Sequence, residues 1–447
     1  MSDLLLRGGR VLDPSSGRDA VADVLVRDGL VASVGERLAA DRVQIIDVAG
    51  LVVAPGFIDL HCHLRDPGLT YKESIASGGR AAAAGGFTTI CCMPNTDPVI
   101  DSRGIVEYVL RTAAAESPVR VLPIGAVTKG QAGKELAELA ELAEAGVVAF
   151  SDDGRPVATS SLMRHALEYS RITGRPVIDH CEDVTLTGGA PANEGPVAAR
   201  LGLRGWPAAA ETIIIARDLE LAALTGGRLH IAHVSTAGGV ELIRQAKRSG
   251  VPVTAEVTPH HLTLTDAWLL GEGLRWPATG TTSLDRRAPY DTRTKVNPPL
   301  RGDADVEAVI AGLADGTIDA IATDHAPHAV VDKLCEYDEA AFGISGFETA
   351  LGALLALVET GAVSLERIVE ALTVGPLRVL GDLDGRVSPG RIAEGCPADL
   401  VVFDPAHPWT VDPEHFLSKG KNSPLDGVEL PGRVVLTMVA GKVAYRA

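Results

Sequence analysis

The chain has 447 residues, 46% hydrophobic and 22% charged, a globular balance long enough for a large domain and a smaller one. A net charge of −17 at pH 7 sets up a field that repels polyanions, which argues against nucleic acid or an acidic membrane surface as partner. Six scattered cysteines without a CxxC pair, no charge-free apolar run of membrane-spanning length, and an N-terminus (MSDLLLRGGRVLD) without signal-peptide pattern point to a reduced, cytoplasmic location.

Residues 1–53 alternate short apolar runs with turn signals at Gly8-Gly9 and Asp28-Gly29, which predicts a small antiparallel β-unit. From 54 to about 360, apolar strands alternate with Ala/Leu/Glu-rich helices. Eight strands are expected, near 52–60, 87–93, 119–127, 146–151, 176–181, 228–234, 251–257 and 318–324. Helices are expected over Glu135–Ala145, Ala208–Leu224 and Gly238–Ser249. Repeated βα units of this number fit a TIM-type (β/α)8 barrel better than an open sheet. The tail, 385–447, returns to short strands. The predicted architecture is therefore α/β: a barrel over 55–384, and a small composite β-sandwich domain built from 1–54 and 385–447. Residues 271–293 form the one long polar irregular stretch, a candidate mobile or interface loop.

The chain is organised around 51–68, LVVAPGFIDLHCHLRDPG. The apolar run Leu51–Leu60 reads as one buried strand that delivers His61 and His63 to the same side, because side chains two apart in a strand share a face. In a barrel the C-terminal strand ends meet at one mouth. Strand four ends in Ser151-Asp152-Asp153-Gly154, strand five in Asp179-His180-Cys181, strand six in His233 and strand eight in Thr323-Asp324-His325. Imidazoles and carboxylates in this mixture suit Zn²⁺, with a position left for water. A carboxylate shared between two ions would make the site binuclear, able to supply hydroxide near neutral pH and to polarise a carbonyl. A nearby carboxylate can then shuttle protons. An anionic substrate would need a local cation in so acidic a protein, and Arg65 is placed to supply it.

The other histidines divide. His230 lies on the opposite face of its strand from His233. His325 points away from Asp324 by alternation and reads as structural. His260 and His261 follow strand seven and stay open as site neighbours. His165, His407 and His415 fall in a helix or the tail. Cys62 and Cys181 flank ligands but face away, which argues against thiolate ligation.

Taken together, GFIDLHCHLRDPG, MPNT (93–96), DDG (152–154), DHCED (179–183), AHVST (232–236), TPHHL, KVNPPLR (295–301) and ATDHAPH (322–328) resemble the dihydroorotases of the amidohydrolase superfamily. The likeness is to the bacterial type in which an Asp, not a carboxylated Lys, bridges the metals, and it spans nearly the whole chain. GFxDxHxH alone is shared by many amidohydrolases; the other motifs are more specific. The resemblance implies one zinc on His61, His63 and Asp324 and a second on His180 and His233. Asp153 would bridge them, with Asp152 the fallback. It implies that Arg65, Asn95 and His328 hold the substrate carboxylate and that Asn297 contacts the ring. Phe342 and Gly343 would offer backbone groups, His63 would also touch substrate, and Asp324 would act as general acid/base. The implied reaction is the reversible cyclisation of N-carbamoyl-L-aspartate to dihydroorotate in pyrimidine (UMP) synthesis. The implied assembly is a homodimer, with association to aspartate carbamoyltransferase left open. The 271–293 stretch is longer than the family's usual connection. Hydantoinase, dihydropyrimidinase and allantoinase are the nearest rivals, but they carry a Lys on strand four that GVVAFSDDG lacks. A non-catalytic scaffold for the transferase would be expected to have lost ligands, and all six are here. A purely structural metal would sit in a closed site, not at an open mouth.

Overall fold

The computed structural model describes every residue except 1–2, 40–42, 273, 275, 278–286, 382 and 384. Much of the 271–293 stretch therefore lies outside the described residues.

At the N-terminus β1 (Leu4–Asp13) pairs antiparallel with β2 (Arg18–Arg27), and β2 with β3 (Leu30–Gly35). Next, β4 (Gln44–Asp47) and β5 (Val52–Pro55) run parallel to β1. Asp28-Gly29 makes the β2–β3 turn with both residues at positive φ (50° and 81°), the conformation a two-residue hairpin needs. Gly8-Gly9 is not a turn. It is a bulge inside β1, where the register slips between Leu6 and Gly9, and the chain reverses over 14–17 instead. The bulge lets β1 lie close on its neighbours: a Cβ at Gly9 would stand 2.7 Å from Val53 Cγ2.

The run Leu51–Leu60 is not one strand either. It divides at Gly56, whose N–H donates to the Asp399 carbonyl and where a Cβ would come within 2.2 Å of Thr88 Cγ2. Only glycine leaves room there for the Thr88 side chain. Before it, β5 belongs to the terminal sheet; after it, β6 (Phe57–Cys62) opens a parallel sheet with β7 (Phe87–Cys92) and β8 (Arg120–Pro123). A second parallel sheet contains β9 (Val177–Asp179), β10 (Leu229–Ile231), β11 (Val253–Val257) and β12 (Ala320–Ile321). Single parallel bridges join the two sheets on both sides. Phe150, the remnant of the expected fourth strand, pairs with Gly125 and Val177, and Cys62 pairs with His325. Ile58, Leu60, Cys91, Leu122, Val148 and Ile178, drawn from both sheets, pack in one buried cluster.

Most of these strands are shorter than their apolar runs because the chain leaves the ladder where the polar residues begin. His233 and Asp324 sit at φ of 32° and 45°, outside the strand region. Helices cover Ala208–Thr225 and Ala237–Arg248, within a residue of expectation. The third begins only at Leu139, because backbone bonds from Lys129 to Glu135 and from Ala137 to Val127 hold 135–137 extended.

After the helices, β13 (Leu400–Asp404) pairs with β5, and β14 (Arg433–Val439) and β15 (Lys442–Arg446) complete an eight-stranded sheet from both ends of the chain. Residues 405–432, between β13 and β14, leave that sheet. Part of this segment packs behind the loops at the ends of the parallel strands: Ser418 Oγ donates to Glu73, and Asn422 contacts 326–345. No helix among the described residues is long and apolar enough to cross a membrane.

Candidate active site

The six metal-ligand candidates meet at the C-terminal ends of the parallel strands. Asp153 Oδ1 lies 3.3 Å from His61 Nε2 and 3.5 Å from both His180 Nδ1 and His233 Nε2. Its Oδ2 is 3.5 Å from His63 Nε2. Asp324 Oδ1 is 3.0 Å from His63 Nε2 and 3.6 Å from His61 Nε2. Two triads, His61/His63/Asp324 and His61/Asp153/His233, each keep their donor atoms within 4.8 Å of one another, and every member is buried.

These donors fit metal ions. His61 Nε2 and Asp153 Oδ1 are buried with no hydrogen-bond partner, a costly arrangement unless something of opposite character satisfies them. His180 Nδ1 and His233 Nε2 stand 2.9 Å apart, while His180 Nε2 faces Glu182 Oε2 (3.2 Å), which leaves Nδ1 as the His180 nitrogen turned to the cluster. The electrostatics agree. Burial opposes charge on Asp153, but His61, His180 and His233 hold its carboxyl well below the ordinary range. Burial likewise works against His180, and Asp153 and Glu182 still raise it to about 10. The cluster stabilises positive charge at its centre.

Each donor is oriented from behind. His63 Nδ1–H donates to Asn95 Oδ1 (2.9 Å). His61 Nδ1–H donates to Glu256 Oε1 (2.8 Å), and the other oxygen of Glu256 accepts from His230 Nε2 (3.0 Å). Burial alone would raise the Glu256 carboxyl; His230 and His61 bring it down to about 2. Asp59 accepts from the Thr323 amide and hydroxyl, both at 2.7 Å, which ties β6 to the residue before Asp324. Such outer contacts fix ring orientation in metal sites. Glu256, Glu182 and Asp59 are functional residues that the strand-end pattern of histidines and aspartates does not mark. A signal existed: each is an acid inside an apolar run or beside a ligand, in FIDLH, DHCED and VTAEV. Asp152 faces away. It accepts from the Thr128 amide and hydroxyl, so only Asp153 reaches the cluster.

A cavity of about 180 Å³ opens beside the cluster. Arg65 lines it while only 9% exposed, its Nε donating to the Pro327 carbonyl. Asn95 and Asn297 line it too; Asn297 Nδ2 donates to Glu182 and its buried Oδ1 has no partner. The far wall is His328, Phe342 and Gly343. His328 Nε2–H donates to the Phe342 carbonyl (2.8 Å), and Lys72 Nζ lies 3.3 Å from its Nδ1. Burial, with Arg65, Lys333 and Lys72 nearby, pushes His328 down to about 2, so the ring is neutral. His328 is thus engaged with the opposite loop instead of pointing freely into the cavity.

Among the other histidines, His230 reaches the cluster only through Glu256. His325 stacks on Phe347 with ring centroids 4.1 Å apart, and its Nδ1 accepts from the Gly346 amide. His261 is bound to Thr258 and the Pro298 carbonyl. His260 is buried beside the cluster without a partner for Nε2, and burial lowers it to about 4. Cys62 donates to the Cys91 carbonyl, and Cys181 faces Asp179 and Asp218. The described end of the 271–293 stretch is tied down: Arg287 donates to the Pro424 and Asp426 carbonyls and Tyr290 to that of Leu201.

Comparison with known proteins agrees with this geometry. Residues 50–238 match the family model described as Dihydro-orotase-like. The dihydroorotase of Anaeromyxobacter dehalogenans (strain 2CP-C) is 52% identical over 447 residues, covering 100% of this chain and 98% of that protein. The dihydroorotase of Citrifermentans bemidjiense is 50% identical over 446 residues, covering 100% of both. Among solved structures, an L-hydantoinase (dihydropyrimidinase) from Arthrobacter aurescens superposes with a TM-score of 0.84 at 28% identity, covering 99% of this chain and 96% of the other. The chain belongs to the dihydroorotase family of cyclic amidohydrolases.

Proposed function

We propose that the cavity beside the His–Asp cluster interconverts N-carbamoyl-L-aspartate and dihydroorotate, the dihydroorotase reaction of pyrimidine biosynthesis. The observation that carries this reading is the juxtaposition of a six-residue donor set with a buried arginine in one small cavity. His61, His63 and Asp324 would hold one ion, His180 and His233 a second, and Asp153 would span both. Metal ions so held supply hydroxide near neutral pH and polarise the scissile carbonyl. Zinc suits the mixed imidazole and carboxylate donors.

The chain's own residues do the rest. Arg65 meets the substrate carboxylate with a planar fork of donors, and its burial makes that contact strong. Asn95, Asn297 and the backbone of Phe342 and Gly343 border the ring. Because His328 already donates to Phe342, it reaches the carboxylate only by exchanging that bond. Asp324 accepts a proton from the attacking water and delivers it to the departing ring nitrogen, which breaks the ring amide and leaves the carbamoyl group. The reverse sequence closes the ring and releases water. The two parallel sheets and their bridging residues form one (β/α)8 unit over 55–384, and 1–54 with 385–447 form the β-domain. A cytoplasmic location and a homodimer complete the proposal, with association to aspartate carbamoyltransferase left open.

The test is an assay of purified protein on dihydroorotate and on hydantoin, with metal content measured on the same sample. Turnover of dihydroorotate that a chelator abolishes and zinc restores is expected. Preference for hydantoin would assign the chain to the activity named in its structural neighbours instead.

A further inference from the structure

The cavity wall opposite the metal cluster is not built from strands. It consists of two loops, 326–328 after β12 and 342–345, and a single side chain from the C-terminal segment spans them. Asn422 is 4% exposed and uses the full hydrogen-bonding capacity of a carboxamide. Its Nδ2 donates to the carbonyls of Ala326 and Gly343, both at 3.0 Å. Its Oδ1 accepts from the His328 amide and the Ser345 hydroxyl, both at 2.9 Å. The orientation of the amide is unambiguous, because two partners are carbonyls and one is an N–H.

We infer that Asn422 is a positioning residue for the substrate pocket, setting the spacing between the His328 and Gly343 walls and thereby the affinity for the ring acid. This rests on reading the cavity as the dihydroorotate site. Asn422 does not itself line the cavity, so it acts only through the loops. The loops have no slack: a Cβ at Gly343 would lie 2.6 Å from the Ala326 carbonyl oxygen. The segment carrying Asn422 is anchored elsewhere, by Ser418 on Glu73 and Lys419 on the Thr70 carbonyl, so it provides a fixed point. The metal donors are oriented by other residues, Glu256, Glu182 and Asn95. Removing Asn422 therefore leaves the cluster intact while loosening the wall.

The experiment uses the full-length, metal-loaded enzyme. Asn422→Ala should raise KM for dihydroorotate about tenfold or more, with kcat within about threefold and metal content unchanged, because the lost bonds act on binding and not on bond breaking. Ser423→Ala is the control. Its hydroxyl accepts from the Leu425 amide inside the same segment, and its KM should match wild type. A lower melting temperature in Asn422→Ala with unmoved KM would reduce the residue to a structural one and overturn the inference; so would a loss confined to kcat. If the alanine variant does not fold, Asn422→Asp must show the same split or the inference fails. Asn422→Asp keeps the volume but turns an acceptor toward the two carbonyls. Wild-type protein without dihydroorotate turnover would overturn the functional reading and this inference with it. An active wild type with an unmoved KM in the variant would overturn this inference alone.

Discussion

Glu256 offers the most direct test of how the cluster is organised. Its carboxylate is fully buried and accepts from His61 Nδ1 at 2.8 Å and from His230 Nε2 at 3.0 Å. Glu256→Leu keeps similar volume and removes both acceptors. Two imidazole N–H groups are then left buried without partners, each costing about 1–3 kcal/mol. The total, about 2–6 kcal/mol, is divided between stability and metal affinity. The His61 share appears as a loss of about ten- to a hundredfold in affinity, because the ring is free to turn its Nε2 from the cluster. Glu256→Gln should lie between. Its amide oxygen can face His61, while its NH₂ meets a His230 ring whose other nitrogen can donate to Thr254 Oγ1, 2.8 Å away. The assay is competition for zinc against a chromophoric chelator, with thermal unfolding of metal-free protein measured in parallel to separate the two costs. Wild-type zinc affinity in Glu256→Leu would refute the argument that this carboxylate aims His61.

The remaining predictions probe separate parts of the site and fold. Asp153→Ala should lose bound metal and activity, whereas Asp152→Ala should retain most metal and mainly lower the melting temperature, since Asp152 serves Thr128; equal metal loss in both would contradict the assignment. Arg65→Ala should lower kcat/KM for dihydroorotate by about a hundredfold or more and that for an uncharged cyclic ureide far less, since only the former presents a carboxylate to the guanidinium. Equal losses would remove the carboxylate clamp. The Glu348 carboxyl is raised by burial to about 7, although the Leu417 and Ser418 amides donate to it. A carboxyl raised in the fold favours folding while protonated. Its contribution is present below the ordinary carboxyl range and is lost as pH rises through about 7. Glu348→Gln should therefore flatten the decline in melting temperature between about pH 5 and 8, and an unchanged slope would refute that.

Much of the chemistry was legible because it sits on local patterns. His61 and His63 declare themselves by strand periodicity, Asp28-Gly29 by its turn chemistry, and the βα alternation by the switch between two hydrophobic periods. Each of these depends on residues a few positions apart. The misreadings have the opposite character. Gly8-Gly9 has the composition of a turn but is a bulge because β1 continues to pair with β2 on both sides. Leu51–Leu60 is uniformly apolar, so nothing in it marks the passage between sheets; Gly56 does so only through Thr88 and Asp399. The helix at 135–145 starts late because Val127 and Lys129 claim its first residues.

By itself, the sequence determined which donor types stand at the strand ends, since side-chain alternation along an apolar run leaves little freedom. Only the tertiary structure sets Asp153 and not Asp152 beside the histidines, because the Thr128 amide and hydroxyl occupy one carboxylate and leave the other to them. Glu256 finds its histidine 195 positions away and Asn422 its loop carbonyl 96 positions away. Contacts at that separation follow no period in the chain; they exist only once packing has brought the partners together, and burial then makes each unpaired polar atom too costly to leave unsatisfied.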